Sequence, residues 1–378
     1  MSRLFSFARL RALLIKEFIQ MRRDRITFAM MLGVPIMQLV LFGYAINMDP
    51  KGLPAAVVAA EASPFSRSLV RALENTGYYK VVALPQTVDE ADTLLARGEV
   101  QFVLHVPEDF SRKLQRGERA VVLVEADATD PAATGNAIAA LNQVSLTALD
   151  RDLTGSLARL KPGEPAFEIR VHRRYNPEGL TQYNIVPGLM GVVLTMTLVM
   201  MTSIAMTRER ERGTMENLLA TPVRPLEVML GKIVPYIVVG YVQVVVILTA
   251  ARFLFQVPMA GSLLLLSTVL VLFIAANLAI GFTFSTLARS QMQAMQMTMF
   301  FFLPSILLSG FMFPFRGMPG WAQVLGEVLP NTHFMRMVRA IMLKGAGAAD
   351  IMQHVWPLAL ILVVVSTVAL KRYQRTLD

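Results

Sequence analysis

The sequence predicts an α-helical polytopic membrane protein with six transmembrane helices, an inserted extracytoplasmic α/β domain, and two short re-entrant or interfacial helices between spans 5 and 6. Of its 378 residues, 54% are hydrophobic and 17% are charged, and the mean hydropathy is +0.50. A soluble protein of this length is far less apolar. Most apolar residues fall into runs of about twenty, the length that crosses the hydrocarbon core of a bilayer. One long stretch between the first two runs is polar instead.

The N-terminal residues predict a basic amphipathic helix in the cytoplasmic interface. Residues 1–25 carry seven Lys/Arg against two acids, with apolar side chains at helical spacing. The apolar run 26–46 then predicts the first span, with the N-terminus inside. A cleaved signal peptide is the alternative, but the basic region is too long and no small-x-small site follows Ile46.

Residues 47–182 predict a periplasmic α/β domain. Strand-like runs bounded by Pro, Gly or charge occur at 53–60, 78–84, 101–106, 120–125 and 167–174. Helical patterns lie between them, at 64–75, 88–97, 108–116 and around 131–160. This alternation predicts a sheet covered by helices. Since the pattern contains no phosphate loop, nucleophile elbow or metal-ligand spacing, we expect a binding or docking role here, and we expect the four scattered histidines to be structural.

Charge is distributed in a way that orients the chain. Residues 48–180 hold 15 Lys/Arg and 18 Asp/Glu, although the whole chain has a net charge of +9. The basic excess therefore lies beside the apolar spans, as the positive-inside rule expects of cytoplasmic segments. Nucleic-acid binding is the alternative explanation of a pI near 10.0, but the positive charge occurs in short juxtamembrane runs and not on a soluble module.

The remaining spans follow from the other apolar runs. They are predicted at residues 183–206, 231–256, 262–287, 292–313 and 354–370. Residues 207–230 form a cytoplasmic loop in this topology, 314–350 a periplasmic re-entrant segment with two amphipathic pieces, and 371–378 a cytoplasmic tail. Six spans place both termini in the cytoplasm, on the same side as every basic cluster.

The cytoplasmic loop begins with an unusual sequence. Residues 207–222 read T-R-E-R-E-R-G-T-M-E-N-L-L-A-T-P, in which five ionisable residues directly follow an apolar run. Gly213 suits the end of a helix, Thr214 suits an N-cap, and Pro222 disfavours helix at Thr221. The helix between them has roughly two turns and is too short to be stable alone in water. We therefore expect a partner surface, with a solvated charged loop as the alternative.

This segment resembles the cytoplasmic coupling motif of ABC-2 type export permeases, E-R-E-x-G-T-x-E-x-L-L-x-T-P followed by P-x-x-x-E…G-K. The continuation here is Pro222, Glu227, Gly231 and Lys232. F-G-Y-A-I-N at 42–47 and F-L-P-S-I-L-L-S-G-F at 302–311 extend the resemblance to the bacterial multidrug-efflux-like subgroup with a large periplasmic domain. The residues it implies for ATPase coupling are Arg208, Glu209, Glu211, Gly213, Thr214, Met215, Glu216, Leu218, Leu219, Thr221 and Pro222.

The resemblance implies an exporter subunit of the bacterial inner membrane that moves amphipathic or hydrophobic, drug-like molecules. It implies a separate ABC ATPase, a second permease copy or a sister permease, and often a periplasmic adaptor protein; no nucleic acid is expected. The chain itself lacks G-x-x-x-x-G-K-[ST], because Gly231-Lys232 is followed by Ile233. We therefore expect no enzyme activity and no cofactor in this chain, with ATP and Mg²⁺ bound by the partner.

A substrate path has no motif, so its residues are predicted from polarity alone. The predicted spans contain no Asp or Glu, which disfavours a secondary transporter with an intramembrane ionisable relay. Neutral polar and methionine side chains suggest an adaptable path through Met200, Gln243, Asn277, Gln296 and Met297. Ordinary helix packing is the alternative for these residues. A membrane sensor or scaffold with a ligand-binding outer domain, and a lipid or polysaccharide exporter, are the alternative functions.

Overall fold

The α/β domain, called the outer domain after its predicted location, is a five-stranded mixed sheet covered by helices. The computed structural model of the chain describes residues 29, 33, 36–38, 40–45, 47–160, 165–211 and 225–375. The sheet has the order β2-β1-β3-β4-β5, and β3–β4 is its one antiparallel pair. All five predicted strands are present, as β1 (Leu53–Ala59), β2 (Tyr79–Ala83), β3 (Phe102–Val106), β4 (Ala120–Asp127) and β5 (Phe167–Arg174).

Four helices connect these strands, and local chemistry sets where they begin and end. They are α1 (Pro64–Asn75), α2 (Val88–Arg97), α3 (Phe110–Arg116) and α4 (Pro131–Thr147). The Asp130 carboxylate accepts hydrogen bonds from the first backbone N–H groups of α4, which caps that helix. Gly98 ends α2 in the left-handed conformation, with φ 73°. Both residues lie on the side of the domain that faces the apolar helices.

The apolar part of the chain is helical. Its helices are α5 (Thr181–Glu211), α6 (Pro225–Phe253), α7 (Leu263–Leu287), α8 (Gln291–Leu307), α9 (Gly320–Glu327), α10 (Pro330–Lys344) and α11 (Ala348–Arg375). Within the described residues, four segments are long and apolar enough to cross a membrane: Thr181–Arg208, Pro235–Phe253, Leu263–Leu287 and Ala348–Arg372. The chain is therefore a multi-pass helical membrane protein with at least four candidate spans. The predicted domain boundaries and the count of six spans stay predictions.

Helix α8 is shorter than the apolar run that contains it. It ends at Leu307, whereas the apolar run continues to residue 313. The chain turns at Gly310, which has φ 80° and whose carbonyl accepts a hydrogen bond from Arg339 Nη2 at 3.1 Å. The short helices α9 and α10 follow where two amphipathic pieces are predicted.

Close helix contacts place α7 and α10 inside the helical region. A Cβ added to Gly281 of α7 would lie 2.8 Å from the Val199 carbonyl oxygen of α5, so only glycine permits this crossing. Phe273 of α7 stacks on Phe334 of α10 with ring centroids 3.9 Å apart. One face of α10 thus packs in the apolar core, and its charged residues face the outer domain.

Candidate functional site

The C-terminal end of α5 is joined to the first residue of α8. Glu211 accepts hydrogen bonds from the backbone N–H of Gln291 at 2.8 Å and from its side-chain amide at 2.5 Å. Arg208 Nε donates to Gln291 Oε1 at 3.3 Å. The amide donors of Gln291 lower the pKa of the exposed Glu211 carboxyl. Two charged residues of the predicted coupling segment therefore contact another helix directly.

Most of the predicted coupling segment lies outside the described residues. The backbone of Glu209 lies in α5, but its side chain is outside the description. The other predicted coupling residues lie outside the described residues, and they are Gly213, Thr214, Met215, Glu216, Leu218, Leu219, Thr221 and Pro222.

The contact between α5 and α8 continues along both helices, away from Glu211 and Gln291. The hydroxyls of Ser203 and Thr298 lie 3.1 Å apart, and both residues are buried. Thr207 Oγ1 donates to the Ser203 carbonyl at 2.8 Å. Interhelical hydrogen bonds of this kind hold neighbouring membrane helices in register.

The five residues predicted for a substrate path lie on four helices, α5 to α8. Gln243 Oε1 accepts a hydrogen bond from Thr197 at 2.9 Å, which links α6 to α5. Asn277 is fully buried, and its Nδ2 donates to the Phe273 carbonyl at 2.9 Å. Among the described residues, Asn277 Oδ1 and Gln296 Oε1 are buried without a hydrogen-bond partner. Met200 and Met297 are partly exposed.

An apolar cavity lies elsewhere, between α7, α8, α10 and α11. This apolar groove has a volume of about 790 Å³ and is lined by side chains such as Phe284, Phe301, Leu360 and Val364. Phe284 and Phe301 form an edge-to-face pair with centroids 5.7 Å apart. Trp356 and Val364 of α11 are 60% and 52% exposed, so the groove opens laterally. None of the five predicted path residues lines it.

A second cavity of about 420 Å³ lies between the outer domain and α10. This polar chamber is lined by charged side chains from both sides, among them Arg97, Asp127 and Asp130 of the outer domain and Arg336 and Arg339 of α10. The apolar groove and the polar chamber share four lining residues: Glu327, Arg336, Gln353 and His354. The two cavities are therefore adjacent parts of one amphipathic site.

Ion pairs hold the outer domain over this site. Lys344 Nζ lies 2.5 Å from Asp127 Oδ2 and 3.1 Å from the Leu95 carbonyl oxygen. Arg97 Nε lies 3.3 Å from Asp350 Oδ1. Arg316 Nη2 donates to the Gly98 carbonyl at 3.0 Å. Each contact joins the end of a strand or of α2 to the segment that follows α8.

A weaker charge pair lies deeper in the polar chamber. Arg339 Nη1 and Asp130 Oδ2 are 4.0 Å apart, and Asn184 Nδ2 donates to Asp130 Oδ1 at 3.3 Å. Burial raises the pKa of the Asp130 carboxyl, although Arg339 and the capped N–H groups act in the opposite direction. Burial likewise lowers the pKa of the Arg339 guanidinium. At this separation the attraction does not offset the loss of hydration.

The histidines, scattered in sequence, come together in pairs. His105 Nε2 and His172 Nδ1 each lie 3.2 Å from a carboxylate oxygen of Glu125, which Arg174 also contacts at 3.0 Å. The rings of His333 and His354 have centroids 5.8 Å apart beside the polar chamber. Sequence reasoning found neither pair, because the partners are far apart along the chain.

The charged residues of α10 were also missed as site residues. The available signal was a short amphipathic helix between apolar runs whose cations, Arg336, Arg339 and Lys344, recur at three- and five-residue spacing. Such spacing alone does not separate a solvated face from a docking face. The partner carboxylates, Asp127 and Asp130, lie more than 200 residues earlier in the chain.

Comparison with known proteins agrees with the resemblance of the sequence motifs. The profile of the ABC-2 family transporter proteins matches residues 25–371. The chain is 28% identical over 347 residues to the probable multidrug ABC transporter permease YbhS of Escherichia coli K12, covering 90% of each protein. It is 28% identical over 369 residues to the probable multidrug permease YbhR of the same strain, covering 98% of this chain and 99% of YbhR. It is 30% identical over 341 residues to the inner membrane transport permease YhhJ of that strain, covering 86% of each.

Proposed function

The chain belongs to the ABC-2 family of transporter proteins as a membrane permease subunit, not itself an ATPase, and from this premise we propose that it exports amphipathic or hydrophobic, drug-like small molecules. The observation that carries the proposal is the course of helix α5. This continuous helix runs from the outer domain to the charged segment at Arg208–Glu211, where it is joined to α8 through Gln291. The multidrug names of YbhS and YbhR support the choice of cargo.

The proposed topology has six spans with both termini in the cytoplasm of a bacterium and the α/β domain in the periplasm. Four candidate spans, the shorter α8 and the apolar run 26–46 supply the six. In this arrangement α9 and α10 are interfacial or re-entrant helices under the periplasmic domain. The name of YhhJ supports the inner membrane as the location.

ATP hydrolysis by a partner is coupled to this permease through the end of α5 and the segment that follows it. In the proposal, Glu209, Glu211 and Glu216 pair with basic groups on a separate ABC ATPase, and Met215 and Leu218 pack into its groove. The sequence predicts a short helix here, with Gly213 and Thr214 at one end and Leu219, Thr221 and Pro222 at the other. ATP and Mg²⁺ bind to the ATPase, and its closure moves this helix so that the spans alternate between inward and outward access.

The permease acts as a pair in this proposal, with an identical copy or a sister permease. Met200, Gln243, Asn277, Gln296 and Met297 remain the proposed substrate path. The outer domain, whose ion pairs fix it above α10, is a surface on which a periplasmic adaptor could dock. The partners also include the lipid bilayer, and no nucleic acid takes part.

The test is charge reversal in the coupling segment. We expect Glu216→Lys to abolish cargo-dependent stimulation of ATP hydrolysis and to end export, with the amount of permease in the membrane unchanged. Glu178→Lys makes the same substitution at an exposed glutamate of the outer domain and serves as the matched control. Export retained by Glu216→Lys, or a permease that does not co-purify with an ATPase in mild detergent, contradicts the proposal.

A further inference from the structure

The apolar groove and the polar chamber form one site with two chemically different ends. Glu327, Arg336, Gln353 and His354 line both cavities and mark the boundary between them. On one side of this boundary are the aromatic and aliphatic side chains of α7, α8 and α11. On the other side are the charged residues beneath the outer domain. A ligand that fills both cavities must therefore have an apolar part and a polar part.

The apolar end suits a single hydrophobic chain or ring system. Its volume of about 790 Å³ falls within the roughly 300–1,000 Å³ of small-molecule sites. The groove is open along α11, where Trp356 and Leu360 are 60% and 53% exposed. A molecule dissolved in the membrane can reach the groove sideways through this opening without crossing water.

The polar end contains one arginine, Arg316, without an ion pair to a described carboxylate, whereas each of the five carboxylates that line this end lies within 4.0 Å of another cation. Asp127 is paired with Lys344, and Asp350 with Arg97. Arg316 makes a hydrogen bond to the Gly98 carbonyl but no ion pair with any described carboxylate. Because these ion pairs engage the carboxylates, the Arg316 guanidinium can donate hydrogen bonds to an anionic ligand.

Two further arginines strengthen the preference for an anion. Arg339 Nε is buried without a partner among the described residues, and Asp130, its nearest carboxylate, has a raised pKa because it is buried. Arg336 lines both cavities, where it pairs with Glu327 at 2.7 Å and lies 4.4 Å above the ring of Phe315. Guanidinium groups bind carboxylate and phosphate oxygens in pairs of hydrogen bonds.

We propose that this site binds an amphiphile with one apolar tail and an anionic head group, with the tail in the apolar groove and the head at Arg316 and Arg336. The inference rests on the proposed export function, because the amphiphile is its cargo. A resident two-chain bilayer lipid fits less well. Outer-domain residues such as Gly98 and Asp127 cover the polar chamber, so a head group bound there is enclosed by protein, whereas a bilayer lipid keeps its head group in the membrane interface.

Trp356 provides a direct readout of tail binding, because it lines the apolar groove and the only other tryptophan is Trp321. In Trp321→Phe permease, purified without ATPase, the fluorescence of Trp356 is titrated with three dodecyl chains brominated near the end. Their head groups are phosphate, hydroxyl and trimethylammonium. We expect saturable quenching by the phosphate probe and at least about tenfold weaker binding of the other two, as expected when a charge-assisted hydrogen-bonded pair is lost.

Matched variants locate each end of the ligand. Val364→Phe fills the apolar groove and should weaken the phosphate probe, whereas Val363→Phe on the adjacent, lipid-exposed position should not. Arg316→Gln should weaken the phosphate probe about tenfold and leave the dodecanol probe unchanged. Arg71→Gln, at an exposed outer-domain site, is the charge control.

Each contrary result overturns a stated part of the proposal. Equal affinity for the phosphate and hydroxyl probes would contradict recognition of an anionic head group. Quenching that Val364→Phe leaves unchanged would contradict binding of the tail in the apolar groove. If phosphatidylglycerol vesicles compete with the phosphate probe as well as the unlabelled amphiphile does, the occupant is a bilayer lipid and the cargo proposal is wrong. Because the ATPase is absent, failure of the Glu216→Lys test leaves these binding results unchanged, so the two failures are distinguishable.

Discussion

Lys344 Nζ lies 2.5 Å from Asp127 Oδ2 and so joins the C-terminal end of α10 to the end of β4, across 217 positions of sequence. The two side chains are only 6% and 8% exposed. A buried ion pair adds little net stability compared with apolar packing, but removal of one partner leaves an uncompensated charge. The pair therefore fixes one position of the outer domain on the helical region.

The first prediction concerns this pair. Lys344→Met should destabilise the permease by about 3–5 kcal/mol, because Asp127 would remain buried without its cation. Thermal unfolding of the detergent-solubilised protein measures the change. Lys113→Met removes an exposed lysine paired with Asp109 at 2.8 Å, and should lower the stability far less, because exposed ion pairs contribute little. Similar losses in the two variants would show that Lys344 and Asp127 are not paired in the protein.

The crossing of α5 and α7 at Gly281 leads to the second prediction. A methyl group there would lie 2.8 Å from the Val199 carbonyl oxygen and 2.9 Å from Thr202 Cβ, so the helices must separate. Gly281→Ala should cost about 1–3 kcal/mol in the same unfolding measurement. Gly135→Ala in α4 meets no atom within 4 Å and should stabilise by up to about 1 kcal/mol. A neutral Gly281→Ala would contradict this close crossing.

The third prediction is a pH dependence from Glu125. Burial raises the pKa of this carboxyl, but Arg174 and the hydrogen bonds to His105 and His172 outweigh burial and lower it below its ordinary value. The ionised carboxylate thus stabilises the fold above the ordinary glutamate pKa of about 4.3, and this stabilisation is lost as the pH falls through the lowered folded value.

Comparison with Glu125→Gln isolates that contribution. The variant should melt below the wild-type protein at pH 7, and the difference between their melting temperatures should shrink between about pH 5 and pH 3. Glu178→Gln, at an exposed position, should match the wild-type protein across this range. A difference that is constant with pH would mean that Glu125 is not ionised in its contacts.

The fourth prediction addresses the proposed substrate path. Met200→Ala or Met297→Ala should change which compounds are exported, because both side chains are partly exposed and methionine adapts to ligands of different shape. Resistance profiles of cells that carry each variant measure the change. Met352→Ala truncates a methionine that is 54% exposed on α11 and serves as the control. Resistance profiles identical to that of the wild-type protein would contradict a role for Met200 and Met297 in the substrate path.

The elements of the outer domain could be predicted from the sequence because their signals are local. Each strand is a short apolar run ended by Gly, Pro or charge, and Thr87 and Gly98 bound α2 as a cap and a left-handed terminus. The pairing of the strands could not be predicted. Nothing local shows that β3 and β4 are antiparallel while β4 and β5 are parallel.

The site was harder to predict than the elements. The apolar runs showed where helices lie, but the 3.6-residue pattern of a uniformly apolar helix does not indicate which face meets a neighbour. The apolar groove depends on how α7, α8, α10 and α11 meet, and Phe284 and Phe301 contact each other only through that packing. The charges of α10 were visible, but their partners were not.

The length of α5 has a mechanical consequence. Its 31 residues make a rod of about 46 Å, whereas the hydrocarbon core is only about 30 Å thick. The rod reaches from Asn184, which is hydrogen-bonded to Asp130 under the outer domain, to Glu211 at Gln291. Its internal proline, Pro187, lies within the first two turns. Helices kink most readily at an internal proline, so we expect a displacement of the Glu211 end to change the tilt of α5 mainly at Pro187, beside the outer domain.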